Sequence, residues 1–133
     1  MFFLAKYNHA VMNVAEPEFF DMTEGEALKN GEALVLTSGK LTKCGATEKP
    51  QFIAMTALDA GAKERRVPCA RADENQLWRV PVSADPTALK PGDKVTVGSD
   101  ALTVTATTTN GVITVDDLSD AKKAGDEIYV RII

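Results

Sequence analysis

Gly31-Glu32-Ala33-Leu34-Val35-Leu36, Gly92-Asp93-Lys94-Val95-Thr96-Val97 and Gly125-Asp126-Glu127-Ile128-Tyr129-Val130 are three versions of one pattern. Each runs glycine, acid, spacer, then apolar residues at alternate positions. Glycine tolerates the positive φ of a tight turn, and the acid can hydrogen-bond back into it. Alternation with a period of two predicts a strand with one buried face. A chain that repeatedly turns and drops into a short strand builds a compact all-β sandwich or barrel. The copies are too short and too widely spaced for a solenoid repeat.

The segments between these copies carry similar punctuation. Residues 33–36 and 41–44 predict a hairpin around Thr37-Ser38-Gly39-Lys40, with Gly39 in the left-handed region. Residues 51–55 read as a buried strand. Residues 67–71 read as an edge strand, because Pro68 has no N–H to donate. In residues 77–82, Trp78, Val80 and Val82 share one face, and Trp78 is expected to pack inward. The run Lys63-Glu64-Arg65-Arg66 is expected to be a solvated loop. Asp85-Pro86 opens a one-turn helix or a pair of turns that ends at Pro91-Gly92. Residues 101–106 read as a strand, and Asn110-Gly111 is the strongest two-residue hairpin signal in the chain, leading into 112–115. Residues 119–124 are expected to form a short helix capped by Ser119 and stopped by Gly125. The closing segment, 127–133, is apolar enough to pair inside a sheet.

Residues 1–24 stand apart. They hold Phe2, Phe3, Tyr7, Phe19 and Phe20, five of the eight aromatic residues, and none of the glycine-acid turns. Their apolar residues follow neither clean period. The first half can pair as a short strand, whereas Pro17 argues against a strand through 15–18. Two readings are open. The arm folds back and caps the β domain, or it lies on a partner and buries its aromatic residues there.

A chain of 133 residues is one domain, or one domain with an arm. A net charge of −4 and a pI near 5.0 argue against nucleic acid as partner, since such binders carry a basic face. No apolar run approaches the roughly 20 residues of a membrane helix. The start lacks the basic lead and apolar core of a signal peptide, so cytoplasmic synthesis without export is expected. Two cysteines, Cys44 and Cys69, are too few for a disulfide scaffold. They read as two half-buried thiols, with a single bridge left open.

Little in the chain points to catalysis. His9 is the only histidine, which excludes a histidine-rich metal centre. No serine sits in a nucleophile elbow and no glycine-rich loop precedes a helix. A thiol nucleophile would have to use His9 from the irregular arm. Asp116, Asp117 and Asp120 lack the alternating ligand spacing of a calcium loop and read as turn and cap acids. The expectation is a protein without enzymatic activity, cofactor or metal.

The order of segments carries a resemblance. Residues 31–43 with Lys49-Pro50-Gln51-Phe52-Ile53-Ala54 resemble the capsid decoration (head-stabilising, or cement) proteins of tailed bacteriophages. So does the later block from Val80-Pro81-Val82-Ser83-Ala84-Asp85-Pro86 through Gly92-Asp93-Lys94-Val95 and residues 101–108 to Gly125-Asp126 and the closing strand. The resemblance covers most of the chain from Gly25 onward. It implies a small β-barrel or β-tulip-like domain over 25–133 and an extended, partner-binding arm over 1–24. It further implies a structural protein of the virion, made in the host bacterial cytoplasm. Such a protein sits on the outer capsid surface as a homotrimer and bridges subunits of the major capsid protein. On that reading Phe2, Phe3 and Tyr7 anchor the arm on the shell, Phe19 and Phe20 form a second cluster where the arm meets the domain, and residues 1–20 can be deleted without unfolding it. The competing reading is a β-sandwich module that recognises a carbohydrate or protein on a cell surface, with Phe52, Trp78 and Tyr129 as its available aromatic platform.

Overall fold

The computed structural model describes residues 1–7 and 16–133. Its construction is clearest at the three glycine-acid turns. Gly31, Gly92 and Gly125 have φ of 80°, 95° and 93°. In each copy the N–H of the acid donates to the carbonyl of a lysine three residues earlier: Glu32 to Lys29 (3.1 Å), Asp93 to Lys90 (3.0 Å) and Asp126 to Lys123 (3.2 Å). The carboxylate accepts in return from the same turn's backbone. Glu32 Oε2 takes Lys29 N–H (2.9 Å), Asp93 Oδ2 takes Lys90 N–H (2.9 Å), and Asp126 Oδ2 takes those of Lys122 and Lys123 (2.9 and 3.2 Å). A positive-φ glycine in third place is type II geometry, which Pro91 in second place suits.

Each turn is also clasped from outside by one buried residue. The glycine N–H donates to that residue's carbonyl, and the acid's carbonyl accepts its N–H. The clasping residues are Ala54 (2.9 and 2.9 Å), Val115 (2.7 and 2.8 Å) and Val82 (2.7 and 2.9 Å). The turn thus delivers the next strand into the sheet with its register already set.

Ten strands result: β1 Phe3–Tyr7, β2 Pro17–Asp21, β3 Ala33–Thr37, β4 Lys40–Lys43, β5 Phe52–Ala54, β6 Arg66–Arg71, β7 Gln76–Pro81, β8 Lys94–Val95, β9 Ile113–Asp117 and β10 Glu127–Arg131. They form two antiparallel five-stranded sheets, ordered β1-β7-β10-β9-β8 and β2-β6-β5-β3-β4. The protein is all-β and sandwich-like. The sheets do not close into a barrel, although a parallel bridge from Met22 to Leu41 brings the two edges of the second sheet together at one point.

Alternation builds two cores. Trp78, Val80, Val115, Ile128 and Val130 of the first sheet face Ala33, Val35, Ile53 and Ala70 of the second. Leu34, Phe52, Ala54, Val67 and Cys69 point the other way and form a smaller core with Met22, Leu28 and Leu41. Leu28 and Leu58 exchange backbone hydrogen bonds (2.8 and 2.9 Å) over it. Arg65, only 6% exposed, staples this cover. Its guanidinium donates to the carbonyls of Asp59, Ala60, Thr23 and Glu26.

Several expectations hold. The hairpin at 33–44 forms, with Ser38 and Gly39 at φ of 51° and 79°, as a primed turn requires. β10 lies inside its sheet, between β7 and β9, and Trp78 is buried. Others are corrected. Pro17 begins β2 rather than preventing it, because the first residue of an edge strand needs no N–H. Pro68 lies in an inner strand, just past the last β5 pair; its carbonyl accepts Met55 N–H (3.1 Å), and with no N–H to return the ladder stops. Arg65 is buried rather than solvated.

Among the described residues there is no helix. Ser119 has φ of 53° and its N–H goes to Asp117 Oδ1 (2.8 Å), so 119–124 is a chain of turns. Residues 101–106 form no strand, only bridges from Val104 to Val82 and Val97. Asn110 takes φ of 58°, but Gly111 serves close approach: a Cβ there would lie 2.1 Å from the Lys94 carbonyl oxygen in β8.

Gly111→Ala should therefore cost about 1–3 kcal/mol in chemical denaturation. Gly61→Ala, which meets nothing within 4 Å, should stay within about 0.5 kcal/mol. Equal losses would show that the packing of β8 against residue 111 is not what requires glycine.

Candidate partner-binding surface

The aromatic residues of the first 24 positions divide by strand alternation. Phe2 is 2% exposed, belongs to the larger core and donates its N–H to the Gly31 carbonyl (3.0 Å). Gly31 is needed there for a second reason, since a Cβ would lie 2.4 Å from that of Met1. Tyr7 is half-buried, and its hydroxyl accepts from Nε2 of the buried Gln76 (3.2 Å). Phe20 is half-buried over the smaller core, its ring 5.0 Å from that of Phe52. Phe3 and Phe19 are each 48% exposed. Three of the five aromatic residues are thus committed to the protein's own packing, and two face solvent.

Those two sit on different sheets. β1 lies at one edge of the first, paired only with β7, with a bulge between Leu4 and Lys6. β2 lies at one edge of the second and pairs with β6 from Pro17↔Ala70 to Asp21↔Arg66. The segment 1–24 is therefore built into both sheets, through strands that bracket residues 8–15. His9 lies outside the described residues.

Arginines accompany the aromatic rings. Arg79 stands 4.7 Å from the Phe3 ring centroid and pairs with Glu127 (3.0 Å). Arg66 stands 5.9 Å from that of Phe19. Arg71 lies 4.8 Å from that of Phe52 and grips Glu18 through two 2.8 Å bonds, which hold the Glu18 carboxyl below its ordinary range.

Between β1 and the second sheet opens a cleft of about 320 Å³, walled by Phe2, Leu4, Gly31, Ile53, Ala70 and Trp78. Met55, 41% exposed, stands on its rim. Sequence reasoning missed this cleft. Only the alternation through Ile53 to Met55, which puts a large apolar side chain beyond the end of a buried strand, pointed to it.

Features weighed for chemistry have structural duties. Asp116 pairs with Arg131 (2.8 Å), and Asp117 accepts the Ser119 N–H. Among the described residues no cluster of three or more acids, histidines or cysteines could hold a metal ion. Cys44 and Cys69 are free and buried, in different cores. Burial, helped by Glu48, pushes the Cys44 thiol up to about 12; burial, helped by Glu18, pushes Cys69 up to about 11. No protein-family model matches the chain, and no curated protein matches it significantly.

Phe2→Ala should cost about 3–5 kcal/mol of stability, whereas Phe3→Ala and Phe19→Ala should each cost about 1 kcal/mol or less; similar losses at all three would refute the division. Deleting residues 1–20 removes β1 and most of β2 and should unfold the domain, contrary to the expectation for a detachable arm. Both thiols have pKa values raised by folding, so their contribution to stability is complete below about pH 9 and declines as pH climbs from there toward 11. The urea midpoint of the native chain should fall more steeply above pH 9 than that of a Cys44→Ala/Cys69→Ala variant; parallel curves would rule the thiols out.

Proposed function

We propose that the protein is a capsid decoration protein: a structural component that binds the outside of an assembled bacteriophage head and stabilises it by bridging major capsid protein subunits. One observation carries the reading. One edge strand of each sheet, drawn from the first 24 residues, presents one half-exposed phenylalanine, Phe3 or Phe19, to solvent. Aromatic anchors on sheet edges are what a small protein needs to hold a lattice of subunits. The resemblance in segment order supports the same conclusion. Binding the assembled shell and not its separated subunits stabilises the shell by mass action, and many copies share the load. A homotrimer on the outer capsid surface, synthesis in the host bacterial cytoplasm and a β-tulip-like description of the two open sheets belong to the same proposal. The alternative module for cell-surface ligands needs an exposed aromatic platform. Phe52 and Trp78 are buried and Tyr129 is half-buried, so no observation favours it.

Mass spectrometry of intact particles from the source of this protein should find it at an abundance comparable to the major capsid protein. A Phe3→Asp/Phe19→Asp variant, folded by circular dichroism, should fail to rebind particles stripped of the native protein. Absence from particles, or full rebinding by the variant, would overturn the proposal.

A further inference from the structure

The exposed Phe19 continues into a surface with a readable order. Phe19 pairs with Pro68 across β2 and β6, and Pro68 meets Met55 through the Met55 N–H. Pro68 lies two residues from Ala70, and Met55 two residues from Ile53, so strand alternation puts both on the face that Ala70 and Ile53 turn toward the cleft. Two residues the other way along β6, on the same face, is Arg66, exposed and standing over the Phe19 ring. Arg79 and Arg71 each have a carboxylate partner within 4.0 Å; among the described residues Arg66 has none at that distance, and the acid beside it is Asp21, opposite it across β2 and β6 on the same face.

Along β6 the surface therefore reads apolar cleft, apolar saddle, cation. The saddle is Pro68 between Phe19 and Met55. At about 3.3 Å per residue the cation lies about 13 Å from Ala70. The cleft is at the lower end of ligand-pocket volumes, room for one apolar side chain rather than a whole cofactor. Charge complementarity selects the occupant.

We infer that this face docks an extended segment of a partner protein that carries an apolar residue, a second apolar residue two positions on, and a carboxylate two positions beyond that. The first side chain enters the cleft, the second covers Pro68, and the acid meets Arg66 beside the Phe19 ring. This rests on the face itself and holds whether or not the partner is a capsid shell.

The test uses the full chain and a fluorescein-labelled peptide in which leucine, serine, leucine, serine and glutamate follow one another, read by fluorescence anisotropy. A second peptide carries lysine in place of glutamate. The unaltered protein should bind the glutamate peptide about fivefold more tightly, as one partly exposed ion pair allows. Arg66→Glu should reverse that order, and Met55→Asp should abolish saturable binding of both. Equal binding of the two peptides to the unaltered protein, no saturable binding of either, or an order unchanged by Arg66→Glu would overturn the inference. Particle rebinding is not part of this assay, so its result is separable from the capsid proposal.

Discussion

The pair of backbone hydrogen bonds that clasps each glycine-acid turn is the constraint on which the sandwich rests. A turn that reverses the chain at a sheet end strands an N–H and a carbonyl, and burying them unpaired would cost on the order of 1–3 kcal/mol per group. Here the glycine N–H and the acid carbonyl are satisfied by a single residue, and that residue (Ala54, Val115 or Val82) is itself in a core. The acid side chain satisfies another donor inside the turn, and the positive φ of the glycine allows both at once. β3, β8 and β10 each leave such a turn already aligned with an antiparallel neighbour.

That logic was legible because it is local. Glycine, acid and alternation lie within six residues of one another, and the strands they predict are present. What was not legible depends on residues distant in sequence. Pro17 is in a strand because Ala70 lies opposite it. Arg65 looks like part of a solvated charge run until Thr23 and Asp59 bring their carbonyls to it. Residues 101–106 alternate like a strand but find only single bridges, and their backbone partners are scattered loop and strand-end groups. Of the candidate site, the aromatic residues were visible, but which of them face outward was decided by pairing that spacing alone does not show.

Arg65 shows how the smaller core is kept dry. A buried cation is costly unless its donors are used, and four carbonyls from two separate loops take those of Nη1 and Nη2, leaving only the buried Nε without a partner among the described residues. The flat fork of a guanidinium spans these acceptors; a lysine in the same place would bring one point charge to a site shaped for a plane. The cover over Phe52 and Leu34 is held by this polar centre as well as by Leu28 and Leu58.

The second sheet is apolar on both faces, and this changes how its strand alignment is protected. In an ordinary half-buried sheet, sliding one strand by a residue exposes its apolar side chains and buries polar ones, and the penalty keeps the strand in place. In β3 a slide would exchange Ala33 and Val35 for Leu34 and Leu36, greasy for greasy. Polarity gives almost no protection against that error. The safeguard is mechanical: a clasped turn at the start of β3, a two-residue reversal at its end, and a proline at the far limit of the β5 and β6 pairing leave the strand no free length to slide along.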